Sequence, residues 1–164
     1  TQPENIGNAQ VFGFEAGFNQ PLDFISSALD GFGIQANYNF ISANFFDDEI
    51  NSDDAFPGTS KHNFNTVAYY ENAKFGFRLA YNARSNYLRT LSGEGLTALP
   101  EYTEGRGQLD IRANYEFIKD LQFSLGVQNV TGTDQRSFFR NNPEESFQLI
   151  TLSPIYTVGL RYGF

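Results

Sequence analysis

The side chains able to do chemistry are few and scattered. His62 is the single histidine, and the chain has no cysteine. A lone imidazole supports neither a histidine-based metal cluster nor a triad with Ser and Asp. Without cysteine there are no thiolate ligands and no disulfides. The neighbours of His62, Lys61 and Asn63, suit the start of a strand at a membrane boundary. The acidic run Asp47-Asp48-Glu49-Ile50-Asn51-Ser52-Asp53-Asp54 carries oxygens that Ca²⁺ accepts. It lacks the central Gly and the terminal Glu of a calcium loop, so it reads as a solvated loop. Arg78, Arg84, Arg112 and Arg161 can meet an anion or a neighbouring domain, or pair with Glu15, Asp110 or Glu116 across strands. Aromatic residues stand in polar segments at Phe45, Phe46, Phe56, Tyr87, Tyr102, Phe138 and Phe139. Rings beside polar groups stack on sugars and other flat ligands, or pack segment against segment. Of these, Phe45, Phe46, Tyr87, Tyr102, Phe138 and Phe139 are the candidate ligand contacts. No phosphate-cradling glycine loop is present, and no cofactor or metal is expected. The net charge of -8 and pI near 4.5 argue against nucleic acid as a partner.

These residues sit on segments with a period of two. Phe12, Phe14, Ala16 and Phe18 alternate with Gly13, Glu15, Gly17 and Asn19. Phe32, Ile34, Ala36, Tyr38 and Phe40 alternate with Gly33, Gln35, Asn37 and Asn39. The same alternation covers Phe75 to Asn82, Gln108 to Tyr115, Leu121 to Gln128 and Tyr156 to Phe164. Apolar residues at i, i+2 and i+4 would wrap around a helix, so these segments are strands. Residues 61–71 suit a strand by length, but Val67 and Tyr69 oppose Phe64, Ala68 and Tyr70, which leaves the facing open.

Aromatic residues make up 16% of a chain whose mean hydropathy is only -0.40. A soluble core does not easily use so many rings in so polar a chain. A wall greasy on one side and wet on the other does. The apolar runs are far shorter than the roughly 20 residues of a transmembrane helix, which leaves a closed barrel as the membrane-spanning option. The connections fit one. Short ones fall at 71–74 and 116–120, a medium one at 23–30, and long polar ones at 44–60, 86–105 and 131–152. In chain order long and short alternate, as in an up-and-down barrel with short periplasmic turns and long outer loops.

The predicted fold is therefore an all-β, antiparallel, transmembrane up-and-down barrel. Glu15, Arg78, Asp110, Arg112 and Arg161 belong to the lumen-facing side, because charges are costly against lipid. Phe, Tyr, Leu, Ile, Val and Ala form the lipid-facing side, with Tyr38, Phe40, Tyr81, Tyr115, Tyr156 and Tyr162 placed as an interfacial aromatic girdle. About seven strands are legible, the first of them descending from the long-loop side. Single-chain bacterial barrels have even strand numbers and both termini on the periplasmic side. Thr1-Gln2-Pro3-Glu4-Asn5 has neither a basic nor an apolar leader segment. The expectation is a C-terminal portion of a larger barrel, with upstream strands elsewhere in the polypeptide.

The residues also resemble a known family. Gly7-Asn8-Ala9 with Val11-Phe12-Gly13-Phe14-Glu15-Ala16-Gly17 looks like the GNA-x-V-x-GFE-x-G strand of TonB-dependent receptors. Gly31 to Tyr38 resembles the strand that follows. Pro57-Gly58-Thr59-Ser60-Lys61-His62-Asn63 is similar to the family's PG-x-SKH-x segment, and Leu79-Ala80-Tyr81-Asn82-Ala83-Arg84-Ser85 to its AYN-x-RS strand. Gln128-Asn129-Val130-Thr131 resembles its x-N-L-T strand end; the same residues fit a glycosylation sequon, which has no meaning in a bacterial barrel. Gly159, Tyr162 and Phe164 stand where the terminal signal for the barrel-assembly machinery has them, while Val158 departs from its usual polar residue. The resemblance implies about 22 strands in the complete barrel, and a plug that is absent from residues 1–164. It implies a bacterial outer-membrane location in contact with lipid, and partnership with TonB through the plug. It implies active import of a scarce nutrient, whether siderophore, cobalamin, saccharide or peptide, and no enzymatic activity. Two rivals are a small outer-membrane barrel acting as anchor or adhesin, which needs eight closed strands, and a barrel phospholipase, for which His62 is the one candidate.

Overall fold

The computed structural model describes residues 8–47, 52–90, 99–140 and 142–163, with backbone alone at 8, 45–47 and 52–55. In chain order the strands are β1 (Asn8–Pro21), β2 (Phe32–Asp47), β3 (Ser52–Ala55), β4 (His62–Glu71), β5 (Phe75–Arg84) and β6 (Tyr87–Thr90). They continue as β7 (Glu101–Thr103), β8 (Arg106–Ile118), β9 (Leu121–Gln128), β10 (Gln135–Phe139), β11 (Asn142–Ile150) and β12 (Ile155–Tyr162).

Seven of them form one antiparallel wall in the order β1-β2-β4-β5-β8-β9-β12, with β3 folded onto the far end of β2. Neighbours in this wall are neighbours in sequence apart from the outer excursions, as a meander requires. Among the described residues its first and last strands have no partner on their outer sides. The short turns have local causes. Asn72 Oδ1 accepts from the backbone N–H groups of Lys74 and Phe75, at 2.9 and 2.8 Å, closing an Asx turn. Asp120 adopts φ 66° in the Lys119-Asp120 turn between β8 and β9. A three-residue 3₁₀ turn, Ser27–Leu29, sits in the medium connection and is capped by Ser26.

Cross-strand register decides the facing of β4. Phe64 and Tyr70 lie opposite Tyr38 and Phe32, so they join the apolar face. Tyr69 lies opposite Gly33 and Val67 opposite Gln35, which puts them on the polar face. The Tyr69 ring lies over Gly33, and a Cβ at position 33 would displace the end of that side chain.

The long connections are not plain loops. Residues from 86–105 and 131–152 fold into a second, four-stranded sheet in the order β11-β10-β7-β6. This sheet holds most of what interior the chain has. Among the described residues the buried apolar side chains are Ala43, Leu88 and Phe138, and the last two belong to it. The wall has no dry core of its own. Phe14, Leu125, Val158 and Leu160 are 53%, 46%, 68% and 72% exposed. So contiguous an apolar surface marks an interface with something apolar outside the chain.

Candidate functional site: the polar wall and its outer rim

The wall has a polar concave side. A hollow of about 600 Å³ on it is lined by Arg78, Asp110, Arg112, Asn114, Gln122 and Gln128, among others. Alternation along each strand supplies the pattern, and register joins the strands into rows. One row crosses five strands as Tyr69, Arg78, Arg112, Gly126 and Thr157. Arg78 sits 5.9 Å from the centre of the Tyr69 ring. Asp110 borders the hollow, but its Oδ1 accepts from Gln108 Nε2 at 2.9 Å and from the Asn129 backbone N–H at 2.8 Å. At the wall's other end Asn37 Nδ2 donates to Glu15 Oε1 at 2.6 Å, and Asn39 Nδ2 donates to Asn37 Oδ1 at 3.2 Å. Arg161 lies opposite Gln122 and beside Glu116 and Asp120 in a smaller hollow near the short turns. The charged residues assigned from the sequence to the lumen thus share this polar side, but not in the cross-strand ion pairs expected of them. The ion pairs among the described residues are Arg89–Glu101 and Arg136–Glu104, both in the second sheet.

At the outer rim two of the sequence motifs meet in space, and a third is tied separately. Arg84 Nε donates to Ser60 Oγ at 2.8 Å, and Ser60 Oγ donates to the Ser85 carbonyl at 2.9 Å. The His62 N–H donates to Ser85 Oγ at 3.1 Å, and the Arg84 guanidinium lies 3.9 Å from the Tyr87 ring centre. Segments 57–63 and 79–85 therefore form one clasp, with Ser60 buried at its centre. Asn129 builds a second clasp. It takes φ 55°, donates through Nδ2 to the Leu152 carbonyl at 2.8 Å, and accepts at Oδ1 from the Thr133 N–H at 2.9 Å. Ser60 and Asn129 were visible in the sequence only as parts of motifs; their partners lie 25 and 23 residues away.

On the convex side His62 Nδ1 and the Tyr38 hydroxyl share a 2.7 Å hydrogen bond. Phe14, Tyr38, Phe40 and His62 form a continuous ring cluster, with Lys61 Nζ 5.6 Å from the Phe40 centroid. A second cluster, Phe32, Tyr70 and Phe75, lies at the short-turn end. The two levels stand roughly 20 Å apart, taking about 3.3 Å per residue from Phe32 to Phe40 and a tilt near 40°. That spacing approaches the apolar band of an outer-membrane barrel. The His62 ring is engaged by rings rather than by a serine.

The loop aromatics have definite partners. Phe138 is buried and stacks on Tyr102 at 5.8 Å, and Phe139 stacks on Phe147 at 4.4 Å. Tyr87 carries Arg84 on its face. The backbone of Phe45 and Phe46 pairs with Asp54 and Asp53, while their side chains lie outside the described residues, as does residues 48–51 of the acidic run. Arg136 forms a two-pronged bond to Glu104, at 2.7 and 2.9 Å. That hydrogen bond, with the attraction of Glu104 and Glu144, raises the guanidinium above its ordinary pKa against a smaller opposing effect of burial. At the terminus a Cβ on Gly159 would lie 2.5 Å from Ser124 Oγ, a contact that a turn of the serine hydroxyl would relieve. Tyr162 lies on the convex side opposite Leu121, and Phe164 lies outside the described residues.

The family described as TonB dependent receptor-like, beta-barrel matches residues 1–130. The chain belongs to the TonB-dependent receptor barrel family. Two solved structures share the fold. The ferric citrate transporter FecA in its unliganded form superposes with a TM-score of 0.73 at 20% identity, over 94% of this chain and 24% of that one. The siderophore receptor PiuA from Acinetobacter baumannii gives 0.69 at 14% identity, over 96% of this chain and 22% of that one. The chain thus spans about a quarter of the length of the receptors it matches. No curated protein sequence matches it. Membership in this family places the TonB-dependent receptor chain in the bacterial outer membrane, and the open seven-stranded wall is an arc of such a barrel.

Proposed function

We propose that residues 1–164 are the C-terminal arc of a TonB-dependent receptor that imports a scarce nutrient across the outer membrane. The observation that carries this reading is a wall with rings on its convex side and charged residues on its concave side, in a chain of this family. The convex side faces lipid and the concave side faces the lumen. The second sheet, with Tyr87, Tyr102, Phe138 and Phe139, stands over the outer mouth and contributes to capture of the solute, together with Phe45 and Phe46. The plug and the remaining strands belong to other parts of the polypeptide, and TonB acts through the plug. Gly159, Tyr162 and Phe164 are read by the barrel-assembly machinery. The work is transport, with no covalent chemistry. The two matched structures are a ferric citrate transporter and a siderophore receptor, which favours an iron chelate among the possible nutrients.

The test is uptake. Cells carrying the intact gene should accumulate a radiolabelled ferric chelate under iron limitation, and deletion of the gene or of tonB should abolish that accumulation. Equal uptake by the deletion strain for ferric chelates, cobalamin, oligosaccharides and peptides would defeat the import reading.

A further inference from the structure

Alternation and register sort the charges of the wall onto one side. Every described carboxylate and guanidinium of its seven strands falls on the concave side, from Glu15 on β1 to Arg161 on β12. The convex side of those strands carries one basic side chain, His62 at the start of β4. Lys61, just before β4, joins it there. Its Nζ lies 5.6 Å from the centroid of the Phe40 ring, and the His62 ring lies 5.4 Å from the same centroid. Both side chains are exposed. Although the chain has a net charge of -8, among the described residues neither has an ion-pair partner within 4.0 Å.

The hydrogen bond inside this cluster decides where His62 presents its proton. Among the described residues the Tyr38 hydroxyl has no acceptor other than His62 Nδ1, at 2.7 Å. The hydroxyl therefore donates to Nδ1, which puts the ring proton on Nε2. Nε2–H has no acceptor of its own among the described residues and stands as a free donor. The ring is held between Tyr38 and Phe40, and the His62 backbone N–H is held by Ser85 Oγ. The level is equally specific. His62 belongs to the outer ring level, and the side chains below it on the same face of β4, from Phe64 to Tyr70, carry no charge. A cation and a directed donor thus stand on a platform of rings where the apolar band ends.

We infer that Lys61 and His62 bind the phosphate of a phosphorylated glycolipid in the outer leaflet, with the Phe14 and Phe40 rings against its sugar. The ammonium supplies a point charge, and the imidazole N–H a directed hydrogen bond to a phosphate oxygen. Stacked rings offer a sugar an apolar face. A phosphate carried on a sugar engages both parts of the site, whereas free phosphate or a sugarless lipid engages only the charged part. The site rests on the reading that the convex side faces lipid with the long connections outside; it does not depend on which solute is imported.

The experiment uses the full-length receptor, refolded in detergent so that no native lipid accompanies it. Native mass spectrometry compares diphosphoryl lipid A, its dephosphorylated form and phosphatidylglycerol as probes. The parent should hold diphosphoryl lipid A about tenfold more tightly than either of the others, and inorganic phosphate should not displace it. The preference should weaken as salt is raised. Bound lipid should slow hydrogen exchange at 58–64 and leave β9 unchanged. K61Q/H62F keeps a ring at position 62 but removes both polar groups, and should lose the preference. K119Q removes the same kind of charge at a short turn and should bind as the parent does. Heat-modifiable mobility on gels separates a lost site from a failed fold, and a misfolded K61Q/H62F is replaced by the two single variants. Equal binding of phosphorylated and dephosphorylated glycolipid by the folded parent, or an undiminished preference in the folded variants, overturns the site. Binding of phosphatidylglycerol as tight as that of diphosphoryl lipid A overturns it as well. Each of these results leaves the uptake comparison of deletion and parent strains standing as the separate test of import.

Discussion

The wall and the outer sheet are built by different physics although the same chain makes both. In the wall, strand pairing is nearly unbroken from β1 to β12 and apolar side chains point outward. On the reading proposed here lipid supplies the apolar environment that a core supplies elsewhere, so stability depends on backbone pairing and on what each side faces. The outer sheet stands in water and must bury its own apolar residues. It does so on a small scale, through Leu88 and Phe138, a Tyr102–Phe138 stack and a charged pair at its edge. The contrast shows why the exposed rings of the wall are no defect, while an exposed ring in the outer sheet is available to a partner.

Substitutions in the intact receptor sharpen this comparison. Leu88→Ala should have the largest effect, because Leu88 is fully buried and truncating such a leucine costs about 2–5 kcal/mol. The loss should be local: hydrogen exchange should accelerate in 87–90 and 135–139 and stay unchanged in β4, β5 and β9. Acceleration in both regions would mean that the two sheets form one cooperative unit. Leu125→Arg puts a charge at mid-height on the convex side, where arginine costs about 2–4 kcal/mol in a bilayer. Ser124→Arg, its neighbour on the concave side, should be close to neutral. Reversible unfolding in lipid vesicles measures both, and equal losses would refute the assignment of the two sides. Asn129→Ala removes a buried amide that bridges the ends of β9 and residues 133 and 152, and should cost about 1–3 kcal/mol. Its signature should be loosening of 131–154 in limited proteolysis. The smallest effect belongs to Arg136→Gln, which breaks the two-pronged bond to Glu104 at a solvated site. It should leave vesicle unfolding unchanged and raise exchange only in β7 and β10.

Much of the wall was legible in the sequence. The alternating segments at 11–20, 31–41, 75–82, 108–115, 121–128 and 156–164 fall within or overlap β1, β2, β5, β8, β9 and β12, because period two is a local property of each strand. The order of short and long connections was equally plain. The outer sheet was not. Its strands are short, interrupted by register shifts at Ser137–Phe139 and Leu88–Thr90, and drawn from two segments far apart in the chain. No local pattern announces such pairing, so residues 86–105 and 131–152 read as polar loops.

The candidate site divides in the same way. That Arg78 and Arg112 belong to the polar side followed from their neighbours alone. That they face each other, that Gly126 leaves the next position open, and that Asp110 is engaged by Asn129 depend on the sliding register of β5, β8 and β9. Ser60 and Arg84 likewise belong to motifs that are recognisable separately, and their contact at the rim comes from folding. For β4 the sequence left both sides open, since each carries rings, and its register against β2, which sets Tyr69 over Gly33, chose between them. Side-chain alternation along one strand is a covalent consequence of extended backbone, so the sequence determined it. Which residue lies across from which is set by hydrogen bonding between distant segments, and that belonged to the tertiary structure.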